Sequence, residues 1–139
     1  MTVTLVCNCG LRIESCGSTL YVDAPNAEQP PFYRMPQPPV IDEKTFFAFT
    51  HQHPDHYDAE FLKNVPSSQI FTPEFQPDCP FSVEFFPLVH TPLPADLMTE
   101  HFVLLVSDGE KTLYVTADAA PDVQVHEAIL AGRTADAAF

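Results

Sequence analysis

Thr45-Phe46-Phe47-Ala48-Phe49-Thr50-His51-Gln52-His53-Pro54-Asp55-His56-Tyr57-Asp58 is the stretch on which the reading of this chain turns. An apolar run of strand type, Phe46 to Thr50, ends in four potential metal ligands packed into six residues. His51 and His53 stand two apart, so in an extended or tight-loop conformation their imidazoles project the same way. Pro54 continues neither a ladder nor a helix interior, so it turns the chain and brings Asp55 and His56 round behind them. Imidazole and carboxylate together suit zinc and its neighbours among the divalent metals.

Working outward, the flanking chain reads as strands. Thr2 to Cys7 has a β pattern, Leu11-Arg12-Ile13-Glu14 alternates cleanly, and Gly17-Ser18-Thr19 turns the chain into Leu20-Tyr21-Val22-Asp23. Residues 25–39 are crowded with proline and read as a loop, with Phe32, Tyr33 and Met35 as anchors. After the histidines, Asp58 to Asn64 reads as a short helix with Asp58 as N-cap. Ser68 to Thr72 reads as a strand closed by Pro73, and Ser82 to Val89 as a further strand that delivers His90-Thr91-Pro92. His101 opens the strand ending at Val106. The Asp108-Gly109 turn then links it to Thr112–Thr116, at whose end stands Ala117-Asp118-Ala119. Pro121 to Gly132 reads as a helix carrying His126 on a packing or solvent face, and Thr134 to Phe139 as the start of another strand.

His-x-His-x-Asp-His after a hydrophobic strand, with His90 at one later strand end and Asp118 at another, resembles the signature of the metallo-β-lactamase superfamily. The resemblance implies an α/β (α+β) chain folded as an αββα sandwich of two similar halves. Residues 1–139 would form a single, incomplete domain holding the first half and the start of the second. It implies that His51, His53 and His90 hold one divalent metal and that Asp55, His56 and Asp118 hold a second, with Asp118 reaching both. Zinc is the first choice, with manganese or iron as alternatives. Asp55 would be the catalytic residue, orienting a hydroxide and protonating the leaving group. Asp23 is either a group that orients a ligating histidine or a turn cap. His101 ranks below His90 as a ligand. Ala117 stands where the family has glycine, which matters only if the backbone there needs φ > 0.

The implied function is metal-assisted hydrolysis of an ester, lactone, amide, thioester or phosphodiester in a small molecule. The branch of the family with sugar-phosphate lactonases is the nearest in loop pattern, but no basic cluster for phosphate is evident, Arg34 and Lys63 being scattered. The last histidine of the family would lie beyond Phe139. A shortened chain, self-association into a homo-oligomer, or a compact variant with one secure metal would each accommodate that. The alternative is a non-catalytic metal-binding protein or an inactive remnant of a hydrolase.

Composition bounds these readings. The 139 residues carry a net charge of −13, with six Lys and Arg in all, which excludes a phosphate-backbone footprint and hence nucleic acid. No apolar run is long enough to span a bilayer and no basic leader precedes the first strand, so the expected setting is cytoplasmic, without a membrane. In that setting Cys7, Cys9, Cys16 and Cys79 are expected as free thiols. A thiolate site built on Cys7, Cys9 and Cys16 is the remaining option, testable by thiol titration with and without a chelator.

Overall fold

A computed structural model describes residues 1–7, 9–24, 38–90 and 99–139. Two four-stranded mixed sheets lie face to face. The first contains β1 (Thr2–Leu5), β2 (Leu11–Ser15), β3 (Ser18–Val22) and β4 (Thr45–Ala48) in that spatial order. The second contains β5 (Ser82–Pro87), β6 (Phe102–Ser107), β7 (Thr112–Val115) and β8 (Ala137–Ala138). In each sheet the first three strands are antiparallel neighbours and the last pair is parallel.

The alternation read in the sequence fills the space between the sheets. Leu11, Ile13, Leu20 and Val22 point inward from the first sheet and meet Val83, Leu104, Val106, Leu113 and Val115 from the second. Each buried aliphatic side chain of this kind contributes about 1.5–3 kcal/mol. β4 is buried at every position because both its faces are covered, Phe46 by the inter-sheet core and Phe47 by the helical layer outside.

A helix lies on each outer face. On the first sheet, α1 (Ala59–Leu62) packs Leu62 with Val65 against Phe47. Asp58 caps it by accepting from the backbone N–H groups of Glu60 and Phe61 at 3.0 and 3.1 Å. On the second sheet, α2 (Val123–Leu130) packs Ile129 against Val103, Leu105 and Tyr114. Its N-cap is Asp122, so Pro121 stands just outside the helix rather than in its first turn. The Arg133 guanidinium donates to the Ile129 carbonyl at 2.9 Å, and Gly132, at φ +75°, turns the chain away from the helix. Helix, sheet, sheet and helix make the four layers of an αββα sandwich, with α2 covering the outer apolar face of the second sheet.

Two local expectations change. Ser68–Thr72 is not a strand: Ser67–Gln69 is a 3₁₀ turn, and the rest makes isolated bridges, Ile70 to Phe47 and Thr72 to Phe75. Pro66 and Pro73 bracket the segment too closely for a ladder to extend. The expected loop anchors Phe32, Tyr33 and Met35, and also Arg34, lie outside the described residues. Among the described residues no helix is long and apolar enough to cross a membrane.

Candidate metal centre

The site forms at one end of the sandwich, where strand ends from both sheets converge. Parallel pairing of β3 and β4 sets Val22 opposite Ala48, so Asp23 and Thr50 leave the sheet side by side. Asp23 is fully buried. It accepts from the Thr50 backbone N–H at 2.8 Å and from the Thr50 hydroxyl at 2.6 Å. The Thr50 hydroxyl lies 3.0 Å from His51 Nδ1, and the Thr50 carbonyl accepts from the Phe102 N–H at 2.8 Å, tying the exit of β4 to the entry of β6. The second sheet brings His90 and Asp118 together through the bridge from His90 to Ala119.

His51 Nε2 lies 3.1 Å from His53 Nδ1, and the candidate ligand atoms of His51, His53 and His90 all fall within 4.8 Å of one another. One carboxylate oxygen, Asp118 Oδ2, stands 3.4 Å from His56 Nε2, 3.6 Å from His90 Nε2 and 3.9 Å from His51 Nε2. His56 Nε2 also faces Asp55 Oδ2 at 3.6 Å. All six residues singled out in the sequence, His51, His53, Asp55, His56, His90 and Asp118, therefore meet in one place.

Asp23 takes the orienting position rather than that of a turn cap. Its Oδ2 is 3.1 Å from His56 Nδ1, an ion-pair distance without full hydrogen-bond alignment, which leaves Nε2 as the atom turned to the site. Burial alone would depress the His56 pKa. The carboxylates of Asp23, Asp118 and Asp55 outweigh that effect and raise it. His51 behaves in the opposite way. Burial first, and then the facing imidazoles, push its pKa down to about 2, so it presents a neutral lone pair at any working pH.

Three features were not legible beforehand. His101 is buried, with its ring 4.9 Å from that of His51 and 5.4 Å from that of His90, and its ring nitrogens have no hydrogen-bond partner among the described residues. It lies behind the three-imidazole group rather than in it, and burial and His90 hold its pKa near 4. Ala117 has φ 45°, so the backbone does need the left-handed conformation at the position where the family carries glycine. Cys9 reaches the centre from the β1–β2 turn, whereas Cys16 is exposed in the β2–β3 turn at the other end of the sandwich. Cys7, Cys9 and Cys16 therefore form no common thiolate site. His126 is remote, bonded to the Tyr114 hydroxyl at 2.6 Å and the Ala120 carbonyl at 3.0 Å. Thr91 and Pro92 lie outside the described residues.

A cleft of about 540 Å³ opens beside His51 and His53, walled by Phe49, Tyr57, Phe71 and Phe102, with Thr99 and Glu100 on its rim. No Lys or Arg lines it among the described residues.

No family model and no curated protein matches the sequence. Solved structures do. The isothiocyanate hydrolase from Delia radicum gut bacteria superposes with a TM-score of 0.69 at 19% identity, over 99% of this chain and 70% of that one. The metallo-β-lactamase fold protein YhfI from Bacillus subtilis gives 0.55 at 19% identity, over 93% of this chain and 61% of that one. CmlA, a diiron β-hydroxylase from Streptomyces venezuelae, gives 0.61 at 17% identity, over 99% of this chain and 33% of that one. The chain has the metallo-β-lactamase fold.

Proposed function

We propose that this chain is a metal-dependent hydrolase of small neutral molecules. The observation that carries the reading is the position of Asp118 Oδ2, a single carboxylate oxygen facing the imidazoles of His51, His56 and His90. A carboxylate there suits a bridge between one cation held by His51, His53 and His90 and another held by Asp55 and His56. Such cations lower the pKa of a water toward neutrality and polarise the oxygen of the bond under attack. The donor set of imidazole and carboxylate fits zinc, manganese or iron. A fold shared with both a hydrolase and a diiron β-hydroxylase leaves the metal to be determined by the site itself.

The protein residues divide the remaining work. His51, kept neutral by burial, and Asp23, fixing His56, hold the donors in place before substrate arrives. Asp55 is one-quarter exposed, so its carboxylate reaches both the centre and solvent. It accepts the proton of the attacking water and returns one to the leaving group. The aromatic walls of the cleft exclude water from one side of the centre and receive an apolar group. Among the described residues no Lys or Arg lines that cleft, so a phosphodiester or sugar phosphate is poorly accommodated. An ester, lactone, thioester or isothiocyanate suits it better.

The test is a substrate panel of neutral aryl esters, lactones, thioesters and an aryl isothiocyanate, with a phosphodiester alongside. The expected result is turnover of a neutral substrate that stops on chelation, returns with added zinc and falls by roughly 10²–10⁴-fold in Asp55→Asn. Protein that retains its cations and turns over none of the panel would instead be the non-catalytic metal-binding relative.

A further inference from the structure

The β1–β2 turn brings a soft donor to a group of hard ones. β1 runs in the same direction as β3, because both are antiparallel to β2, so the end of β1 rises beside the end of β3 at the metal centre. There Cys9 Sγ lies 3.4 Å from His56 Nε2 and donates to the Asp55 backbone carbonyl at 3.3 Å. The turn is seated tightly. A Cβ on Gly10 would meet Cys7 Sγ and stand 2.8 Å from the carbonyl oxygen of Asp23, the residue whose carboxylate faces the other side of the His56 ring.

We infer that Cys9 is a thiolate ligand of the second cation, in one donor group with Asp55 and His56, beside which Asp118 stands in the group it shares with His51 and His56. This rests on the two-cation reading above. The distances carry it. Around a tetrahedral zinc, bond lengths near 2.0–2.3 Å place an imidazole nitrogen about 3.5 Å from a thiolate sulfur and about 3.4 Å from a carboxylate oxygen. From His56 Nε2 the sulfur of Cys9 is at 3.4 Å, Asp118 Oδ2 at 3.4 Å and Asp55 Oδ2 at 3.6 Å. The ligand atoms of Cys9, Asp55 and His56 also lie within 4.8 Å of one another. The three distances from His56 are those of ligands sharing one cation with it, and Asp118 belongs to the adjoining group with His51 and His56. Cys9 thereby supplies the donor that the resembled family takes from a later histidine. Binding is not a redox step: the S–H bond breaks, a sulfur–metal bond forms and the proton goes to water. A thiolate also biases this site toward zinc over manganese.

Cobalt(II) substitution reads the sulfur directly, independently of any activity. Protein loaded with two equivalents of cobalt is expected to gain a near-ultraviolet thiolate-to-cobalt charge-transfer band. That band should vanish in Cys9→Ser and persist in Cys16→Ser and Cys79→Ser. The second equivalent should bind roughly 10–100-fold more weakly in Cys9→Ser, a loss at least equal to that of a partner outside the ligand shell. On the unaltered chain, one thiol should become reactive only after chelation, a readout that does not depend on the variant folding. Two bound equivalents without the band, a band unchanged in Cys9→Ser, or no thiol shielded by metal would each overturn the Cys9 assignment and leave the two-cation reading standing. Failure of the unaltered chain to bind cobalt at all would overturn the reading beneath it.

Discussion

Replacing Asp23 by Asn isolates one atom of the scaffold. Asp23 Oδ1 accepts from the Thr50 N–H at 2.8 Å, and Asn keeps that bond. Its amide group then replaces Oδ2, which in the native chain accepts from the Thr50 hydroxyl at 2.6 Å and faces His56 Nδ1 at 3.1 Å. Hydrogen bonds to a buried charge contribute about 1.5–3 kcal/mol each, and a neutral replacement recovers about 1 kcal/mol. The net loss is on the order of 2–4 kcal/mol, or roughly a 10 °C fall in melting temperature. The second effect is chemical. An N–H facing His56 Nδ1 makes that nitrogen an acceptor, so the ring proton moves to Nε2, the atom that faces Asp55, Asp118 and Cys9. A protonated Nε2 cannot ligate, so cation affinity should fall by roughly 10–100-fold. Calorimetric titration of zinc into metal-stripped Asp23→Asn, beside a thermal melt, measures both. Native affinity in a folded variant would refute the orienting role of Asp23. A melting temperature within a degree or so of the native value would refute the assigned hydrogen bonds.

Ala117→Gly should stabilise the chain, against the usual sign of an Ala→Gly change. A left-handed residue with a Cβ costs about 1–2 kcal/mol and glycine's extra unfolded-state freedom about 0.5–1 kcal/mol, so a gain of up to about 1 kcal/mol is expected in a denaturant melt. Gly10→Ala should destabilise by about 1–3 kcal/mol, because the new Cβ meets the Asp23 carbonyl, and circular dichroism melts will measure it. Asp108 has its pKa lowered, first by the Ser15 hydroxyl at 2.6 Å and then by backbone N–H groups. Since the folded value lies below the unfolded 3.8, its contribution is complete above that pH and is lost as pH falls below it. The acid-unfolding curve of Ser15→Ala should therefore show a shallower fall below about pH 4 than that of the native chain.

The sequence made the ligand cluster legible because it is local: a strand, then His51, His53, Asp55 and His56 within six residues, leaves few other structures. His90 and Asp118 were legible because each stands at the end of a strand whose pattern is clear. The inter-sheet core followed from period-two alternation in Leu11, Ile13, Leu20 and Val22, and the first helix was marked by its capping Asp58. What remained hidden depends on pairing across the chain. Cys9 is 47 residues from His56, and only the common direction of β1, β3 and β4 brings them together. The burial of His101 behind His51 likewise depends on the contact between β4 and β6. Ser68–Thr72 misled because its alternation is real, yet two prolines leave it room for isolated bridges only. α2 was expected as a helix, but that it closes the second sheet requires knowing which face of β6 and β7 turns outward.

Elemental analysis of the purified protein for divalent metals, with His53→Ala and Asp118→Ala in parallel, bears most directly on the central claim. The geometry predicts about two cations per chain in the native protein and a lower content in both variants, with Asp118→Ala affecting both positions. A native protein without metal, or a content that neither substitution changes, would contradict it.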